Sequence, residues 1–285
     1  MSVTESDVRR AIAGARTMVV KVGSSSLTQP SGHLDVKKLN SLVAALSAAS
    51  AQGARVVLVS SGAIAAGFGP LGFESRPSDV ATQQAVAAVG QGLLMAQYEA
   101  AFGRFGVRVG QILITAEDTI RAVQYRNVQR TLNRLLELGV VPIVNENDSL
   151  ASNEIRFGDN DRLSAIVAAL IGADLLILLS DIDGLYSDDP RQNPKARFIS
   201  QVDEITPELM EMGKATSGSD VGTGGMAAKL AAARIATDSG SDMVIANGDD
   251  VEVVSQIMAG DNKGTLFLAH PNFDFDLMHY INNEY

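Results

Sequence analysis

The chain has 285 residues, with 23 Lys and Arg against 33 Asp and Glu for a net charge of −10, so its far field repels polyanions and no nucleic-acid partner is expected. Hydrophobic residues make up 46%, aromatics 5%, and Trp is absent, which suits an α/β protein with helices close on a sheet, in one large domain or two small ones. Without Cys there are no disulfides, thiolate nucleophiles or thiolate-bound metals, and with no apolar run of spanning length and no secretory core in residues 1–16, a cytoplasmic protein with no membrane partner is expected.

Residues 1–16 read as a polar, amphipathic extension. A first strand is predicted over 17–22, a helix over 36–52 ended by Gly53, and a second strand over 55–60. A long Ala- and Gln-rich helix follows from 78 to about 105, then a strand over 107–115, a helix over 125–138 stopped by Gly139, and a strand over 140–145. Residues 161–171 read as a helix, and 174–180 as a nearly all-apolar strand buried on both faces. The stretch 185–199 reads as a surface loop or hairpin. A helix over 226–237, a strand over 242–245, a helix over 251–259 and a strand over 264–268 complete the pattern. Such alternation implies a three-layer αβα sandwich on a mainly parallel central sheet, with ligands at the C-terminal ends of its strands.

Six turns carry candidate chemistry. The first strand closes on Lys21, then Gly23 and three serines. A lysine in an apolar strand is costly to bury unless an anion meets it, and the turn's N–H and hydroxyl donors suit phosphate oxygens; the alternative is a lysine reaching from the strand end to solvent. After the second strand, Ser60, Ser61, Gly62 and Ala63 put small donors where a helix begins, ready for a carboxylate or phosphate, although Ser-Gly alone is a routine cap. The densest pair of turns is Asn145-Glu146-Asn147-Asp148 and Phe157-Gly158-Asp159-Asn160-Asp161. Carboxylates and carboxamides there can grip an ammonium, orient lysines or hold Mg2+ through water, and they exceed what capping requires.

Ser180 and Asp181 serve equally as contacts to a base or ribose or as a plain turn. The glycine-rich run from Gly218 through Thr223, Gly224 and Gly225 enters the helix carrying Met226, Ala227, Ala228 and, one turn inside, Lys229. Glycines admit close backbone approach to anionic oxygens, and the helix N-terminus adds donors and a positive dipole end. The spacing is not that of a Walker A loop. Residues 214–225 read either as a lid ordering over phosphates or as an ordinary flexible loop. His33, His270 and His279 have no evident partners in the sequence, so histidine acid–base chemistry and zinc are not expected.

Together VVKVGSSSLT from Val19, SSGAIAAG from Ser60, NEND from Asn145, FGDNDRLSA from Phe157, SDIDGLY from Ser180 and VGTGGMAAK from Val221 resemble the glutamate 5-kinases of the amino acid kinase family. The combination of NEND, GDND and GTGGM-x-x-K is the specific part; acetylglutamate, uridylate and aspartate kinases share the sheet and lysines with different substrate turns. The resemblance implies an amino acid kinase domain over 17–268, an extension at 1–16 and a tail at 269–285, without the C-terminal PUA domain that many members carry. It implies phosphorylation of the L-glutamate side-chain carboxylate by ATP with Mg2+, the first step of proline biosynthesis. Feedback inhibition by proline, contact with the following glutamyl phosphate reductase, and a homodimer or homotetramer are further family expectations.

By motif position, Lys21 and Lys229 would meet the transferred phosphoryl group and Asp161 would hold them. Ser61, Gly62, Asn145, Asp148 and Asn160 would serve glutamate. Lys21, Gly23, Ser180, Asp181, Thr223, Gly224, Gly225, Met226, Ala227, Ala228 and Lys229 would serve ATP, whose phosphates bridge Mg2+ without direct side-chain ligands. The chemistry agrees: a carboxylate with a pKa of about 4.3 is already an ionised nucleophile at neutral pH, so positioning and charge neutralisation are what transfer needs. The competing expectations are a related kinase for another small acid or phosphate acceptor, and a nucleotide-binding regulatory module without turnover.

Overall fold

The computed structural model describes residues 5–29, 31–73, 77–150, 160–190, 192–215, 225–272 and 274–284. Helix α1 (Glu5–Ile12) leads into strand β1 (Thr17–Val22), the single turn α2 (Ser24–Leu27), α3 (Val36–Ala51) and β2 (Arg55–Ser60). Next come α4 (Ala63–Leu71), α5 (Val80–Gly103), β3 (Arg108–Ile114), α6 (Ala116–Ile120), α7 (Ala122–Glu137) and β4 (Val140–Glu146). Then follow α8 (Asn160–Ile171), β5 (Leu175–Ser180), β6 (Leu185–Tyr186), β7 (Phe198–Ile199), β8 (Gln201–Val202) and α9 (Pro207–Ala215). The chain closes with α10 (Met226–Asp238), β9 (Asp242–Asn247), α11 (Val253–Met258), β10 (Thr265–Phe267) and α12 (Leu277–Glu284).

Eight strands form one sheet in the order β3-β4-β2-β1-β5-β9-β10-β8. Pairing is parallel from β3 to β9, as the alternation predicts, and β10 runs antiparallel to β9. Side chains alternate across a strand, and that parity separates two cores. Val19, Val57, Val59, Val144, Leu176 and Leu178 enter one core with α8 and α10, whereas Met18, Val20, Val22, Leu58, Leu175 and Ile177 enter another with α3 and α5. Helix α8 is apolar on nearly every face and correspondingly buried. These are the three layers of the αβα sandwich.

Local differences from the sequence reading have local causes. Helix α5 starts at Val80 because Asp79 caps it, its carboxylate accepting from Thr82 N at 2.8 Å. Strand β9 runs two residues further than expected, to Asn247, because Ser180 pairs with it there. Residues 185–199 contain a hairpin in which β6 and β7 pair antiparallel and the Tyr186 and Phe198 rings meet edge-on at 5.3 Å. The tail, unassigned from sequence, forms α12, which buries Leu277 and Ile281 in the α8/α10 core. Among the described residues no helix is long and apolar enough to cross a membrane.

Strand β1 is central, with β2 on one side and β5 on the other. On one side of β1 the chain adds β2, then β3 at the edge and β4 between them, and then crosses to the other side of β1 to start β5. That reversal is the switch point at which the strand ends of a parallel sheet leave a crevice.

Candidate active site

Lys21 shares the parity of Val19, so it points into the layer of α8 and α10 rather than to solvent. Asp161, the second residue of α8, and Lys229, in the first turn of α10, meet it there. Lys21 Nζ lies 2.6 Å from Asp161 Oδ1 and Lys229 Nζ 3.1 Å from Asp161 Oδ2. Relative exposures of 7%, 1% and 5% for Lys21, Asp161 and Lys229 rule out a lysine reaching to bulk water. Asp161 directs its two oxygens to two ammonium groups 208 residues apart in sequence, instead of capping α8. Burial alone would push its carboxyl up, but the Lys21 and Lys229 charges and their hydrogen bonds outweigh that and hold it below the usual carboxylate range. The three groups together carry one positive charge, which an anion in the crevice offsets.

Beside this clamp the ends of β2 and β4 converge on Asn160, the first residue of α8. Its Nδ2 donates to Ser61 Oγ at 2.9 Å, Asn145 Oδ1 at 2.9 Å and Ser60 O at 3.3 Å. Its Oδ1 is buried without a hydrogen-bond partner. Asn145 in turn donates from Nδ2 to Gln91 Oε1 of α5 at 2.9 Å. Seven residues along the same helix, the Tyr98 hydroxyl sits 2.7 Å from Ser60 Oγ, in a burial that raises its pKa. Gly62, at φ 105°, turns the chain from β2 into α4, a backbone conformation that glycine adopts without strain. Asp148, half-buried, lines a small cleft with Ala63, Gln91, Glu146 and Asn147.

On the opposite side of β1, Ser180 donates from Oγ to Asp181 Oδ1 at 2.9 Å and accepts at its carbonyl from Gly248 N at 2.7 Å. Asp181 is exposed. Gly225 is the N-cap of α10, with no side chain to cap the first turn, which begins with half-buried Met226, Ala227 and Ala228. At Gly23 a Cβ would lie 3.5 Å from Lys21 Nζ, and its absence leaves that approach open. Thr223 and Gly224, with the rest of the glycine run before Gly225, and Phe157, Gly158 and Asp159 lie outside the described residues. Among the described residues no group of three or more His, Cys, Asp or Glu is placed to hold a metal ion.

One expectation needs correction. His270, read as lacking a partner, has Nδ1 3.3 Å from Asp238 Oδ1 at the far end of α10 from Lys229, a contact across 32 residues that local sequence does not display. Two polar residues of α5, Gln91 and Tyr98, escaped the sequence reading. For Gln91 a signal was present: it stands between Gly90 and Gly92 in a helix otherwise rich in Ala and Val.

Residues 16–247 match the amino acid kinase family. The glutamate 5-kinase of Bifidobacterium longum (strain NCC 2705) is 65% identical over 264 residues, 93% of this chain and 69% of its own. That of Clostridium acetobutylicum is 51% identical over 257 residues, 90% of this chain and 96% of its own. In three dimensions, the isopentenyl phosphate kinase of T. acidophilum aligns with a TM-score of 0.59 at 20% identity, over 88% of this chain and 99% of that one, a likeness of fold alone. By sequence, fold and family match, the chain belongs to the amino acid kinase family, among its glutamate 5-kinases.

Proposed function

We propose that this chain transfers the γ-phosphoryl group of ATP to the side-chain carboxylate of L-glutamate, with Lys21 and Lys229 as the catalytic cations. The observation that carries the reading is the buried pair of lysines, from β1 and α10, held by one carboxylate where the strands end. A glutamate oxygen attacks the γ-phosphorus, the bond to the bridging oxygen breaks, and that oxygen leaves on ADP with the electron pair. No proton moves, because the nucleophile is already ionised. Lys21 and Lys229 neutralise the charge that spreads over the phosphoryl oxygens, and Asp161 keeps both ammonium groups in place before substrate arrives.

Ser61, Gly62, Asn145, Asp148 and Asn160 hold the glutamate. The α4 N-terminus beyond Gly62 suits its α-carboxylate, and the acceptor Oδ1 of Asn160 with the Asp148 carboxylate suits its α-ammonium. Gly23, Ser180, Asp181 and the α10 N-terminus, preceded by Thr223 and Gly224, take the nucleotide. A donor set of ammonium and N–H groups fits a metal that arrives on the phosphates; Mg2+ bound there supplies further charge neutralisation. Proline, another zwitterionic amino acid, would compete for the ammonium and carboxylate ends of the same cleft. A homo-oligomer would use the outer face of α5, where Ala85, Ala88, Val89, Gly92, Leu93 and Ala96 stay exposed, since packing on the core accounts only for the inner face.

The test is ADP release with Mg2+ and ATP across L-glutamate, L-aspartate, N-acetylglutamate and UMP, with hydroxylamine present to trap an acyl phosphate. Glutamate-dependent ADP together with hydroxamate is expected, and Lys21→Met and Lys229→Met should stay folded and lose both. Turnover with another acceptor alone would overturn the substrate. Silence with all four, from folded protein that binds ATP, would make the chain a regulatory module.

A further inference from the structure

Three carboxamides stand in series behind the glutamate cleft, and each joint fixes their direction. Asn160 presents Nδ2 to the Ser60 carbonyl, which can only accept, so this amide cannot be reversed. Asn145 Oδ1 takes the next bond from Asn160 and another, at 2.9 Å, from Glu146 N, which can only donate. Asn145 Nδ2 is thereby turned toward α5, where Gln91 Oε1 receives it. The relay therefore ends on an acceptor, Asn160 Oδ1, in a residue 7% exposed and with no hydrogen-bond partner at that atom. A buried acceptor in this condition is completed by a donor. Asp148, three residues beyond Asn145 at the end of β4, lines a small cleft with Gln91, and its carboxylate favours a cationic donor over a neutral one there.

We propose that Gln91 is a positioning residue for the substrate's α-ammonium group. By holding the far end of Asn145 it fixes the Asn160 amide with Oδ1 as its open acceptor, and so makes the site prefer an amino acid to a plain dicarboxylate. Asn145 is 2% exposed, so its amide has little access to water once the Gln91 acceptor is removed. Without that acceptor the Asn145 amide must shift to satisfy Nδ2, and Asn160 moves with it. The inference rests on the glutamate kinase reading, and it gives Gln91, a helix residue beside Asp148 in the cleft lining, a role exerted through Asn145.

The experiment compares wild type with Gln91→Met, which keeps side-chain length and removes the acceptor, and Gln91→Glu, which keeps the acceptor. KM is measured for L-glutamate and for ATP, and glutarate, which lacks the ammonium, is titrated as a competitive inhibitor. Gln91→Met should raise the glutamate KM about tenfold, the size of one lost hydrogen bond to a charged group's partner. It should leave the ATP KM and the glutarate inhibition constant within about twofold, while Gln91→Glu stays close to wild type in all three. Should the methionine variant not fold, Gln91→Ala, which gains helix propensity, is read in its place. Equal losses for glutamate and glutarate, equal losses in Glu and Met variants, or no loss at all would overturn the proposal. A wild type inactive on glutamate would instead overturn the kinase reading beneath it.

Discussion

Asp161 does two things at once: it neutralises part of the charge on two buried lysines, and it sets where those lysines point. Replacing it by Asn keeps the shape and leaves both ammonium groups buried around a neutral amide. Breaking a buried ion pair this way costs about 3–5 kcal/mol. The pH dependence follows from the depressed carboxyl. A carboxyl whose folded pKa lies below its unfolded value of about 3.9 contributes stability that is complete above that value and is lost as pH falls through the folded pKa. Urea midpoints of wild type and Asp161→Asn should therefore differ by a constant margin from about pH 8 to about pH 5, and converge only below about pH 4. Convergence near neutrality would show that the lysines do not hold the carboxyl down. Lys21 was legible in the sequence because a cation inside Thr-Met-Val-Val-Lys-Val has no cheap apolar explanation. The flanking glycines mark Gln91, but its role was not legible, because its partner Asn145 lies 54 residues away on another element.

At the scale of elements, the site depends on how closely α5 approaches α4. A Cβ at Gly90 would stand 1.8 Å from Ala63 O and 2.6 Å from Gly67 N, and one at Gly67 would stand 2.3 Å from Val86 O. The two helices thus touch backbone to backbone, which lets Gln91 and Tyr98 reach the ends of β4 and β2. Gly90→Ala must push α4 and α5 apart. It should cost about 1–3 kcal/mol, the usual range for overpacking, and raise the glutamate KM more than the ATP KM, because α4 begins at the glutamate cleft. Gly103, the last residue of α5, has nothing within 4 Å of its would-be Cβ, so Gly103→Ala should be neutral or stabilising by a few tenths of a kcal/mol up to about 1. Equal behaviour of the two variants, in urea unfolding and substrate kinetics, would mean the close approach is not what matters. The helices themselves were readable from Ala-rich runs between turn residues. Their contact was not, since a glycine in a helix reports a missing side chain without saying what fills the space.

At the scale of the molecule, alternation of strand and helix foretold the parallel sheet, and the nearly all-apolar run 174–180 foretold a strand buried on both faces. Strand order stayed hidden, because β1 pairs with both β2 and β5 and nothing near Thr17 distinguishes those partners. The sequence reading names residues 1–16 an extension and 269–285 a tail, and both carry helices that pack on the sheet and its core. Arg9 of α1 donates to the carbonyls of Lys263 at 2.6 Å, Ser200 at 2.8 Å and Gly264 at 3.1 Å, tying the start of the chain to the strands β8 and β10 at the sheet edge. Ile281 of α12 enters the same core as α8 and α10, the two helices that carry Asp161 and Lys229. A chain cut to 17–268 should therefore unfold at much lower urea than the whole. Arg9→Lys, which loses the planar fork, and Ile281→Ala, which opens a core cavity, should each reproduce part of that loss, about 1–3 and about 2–5 kcal/mol respectively. Such sums are a large share of an ordinary folding free energy of about 5–15 kcal/mol. If the cut chain unfolds at the midpoint of the intact one, the ends are appendages; if it does not, the clamp on Asp161 depends on a core that the first and last turns of the chain help to close.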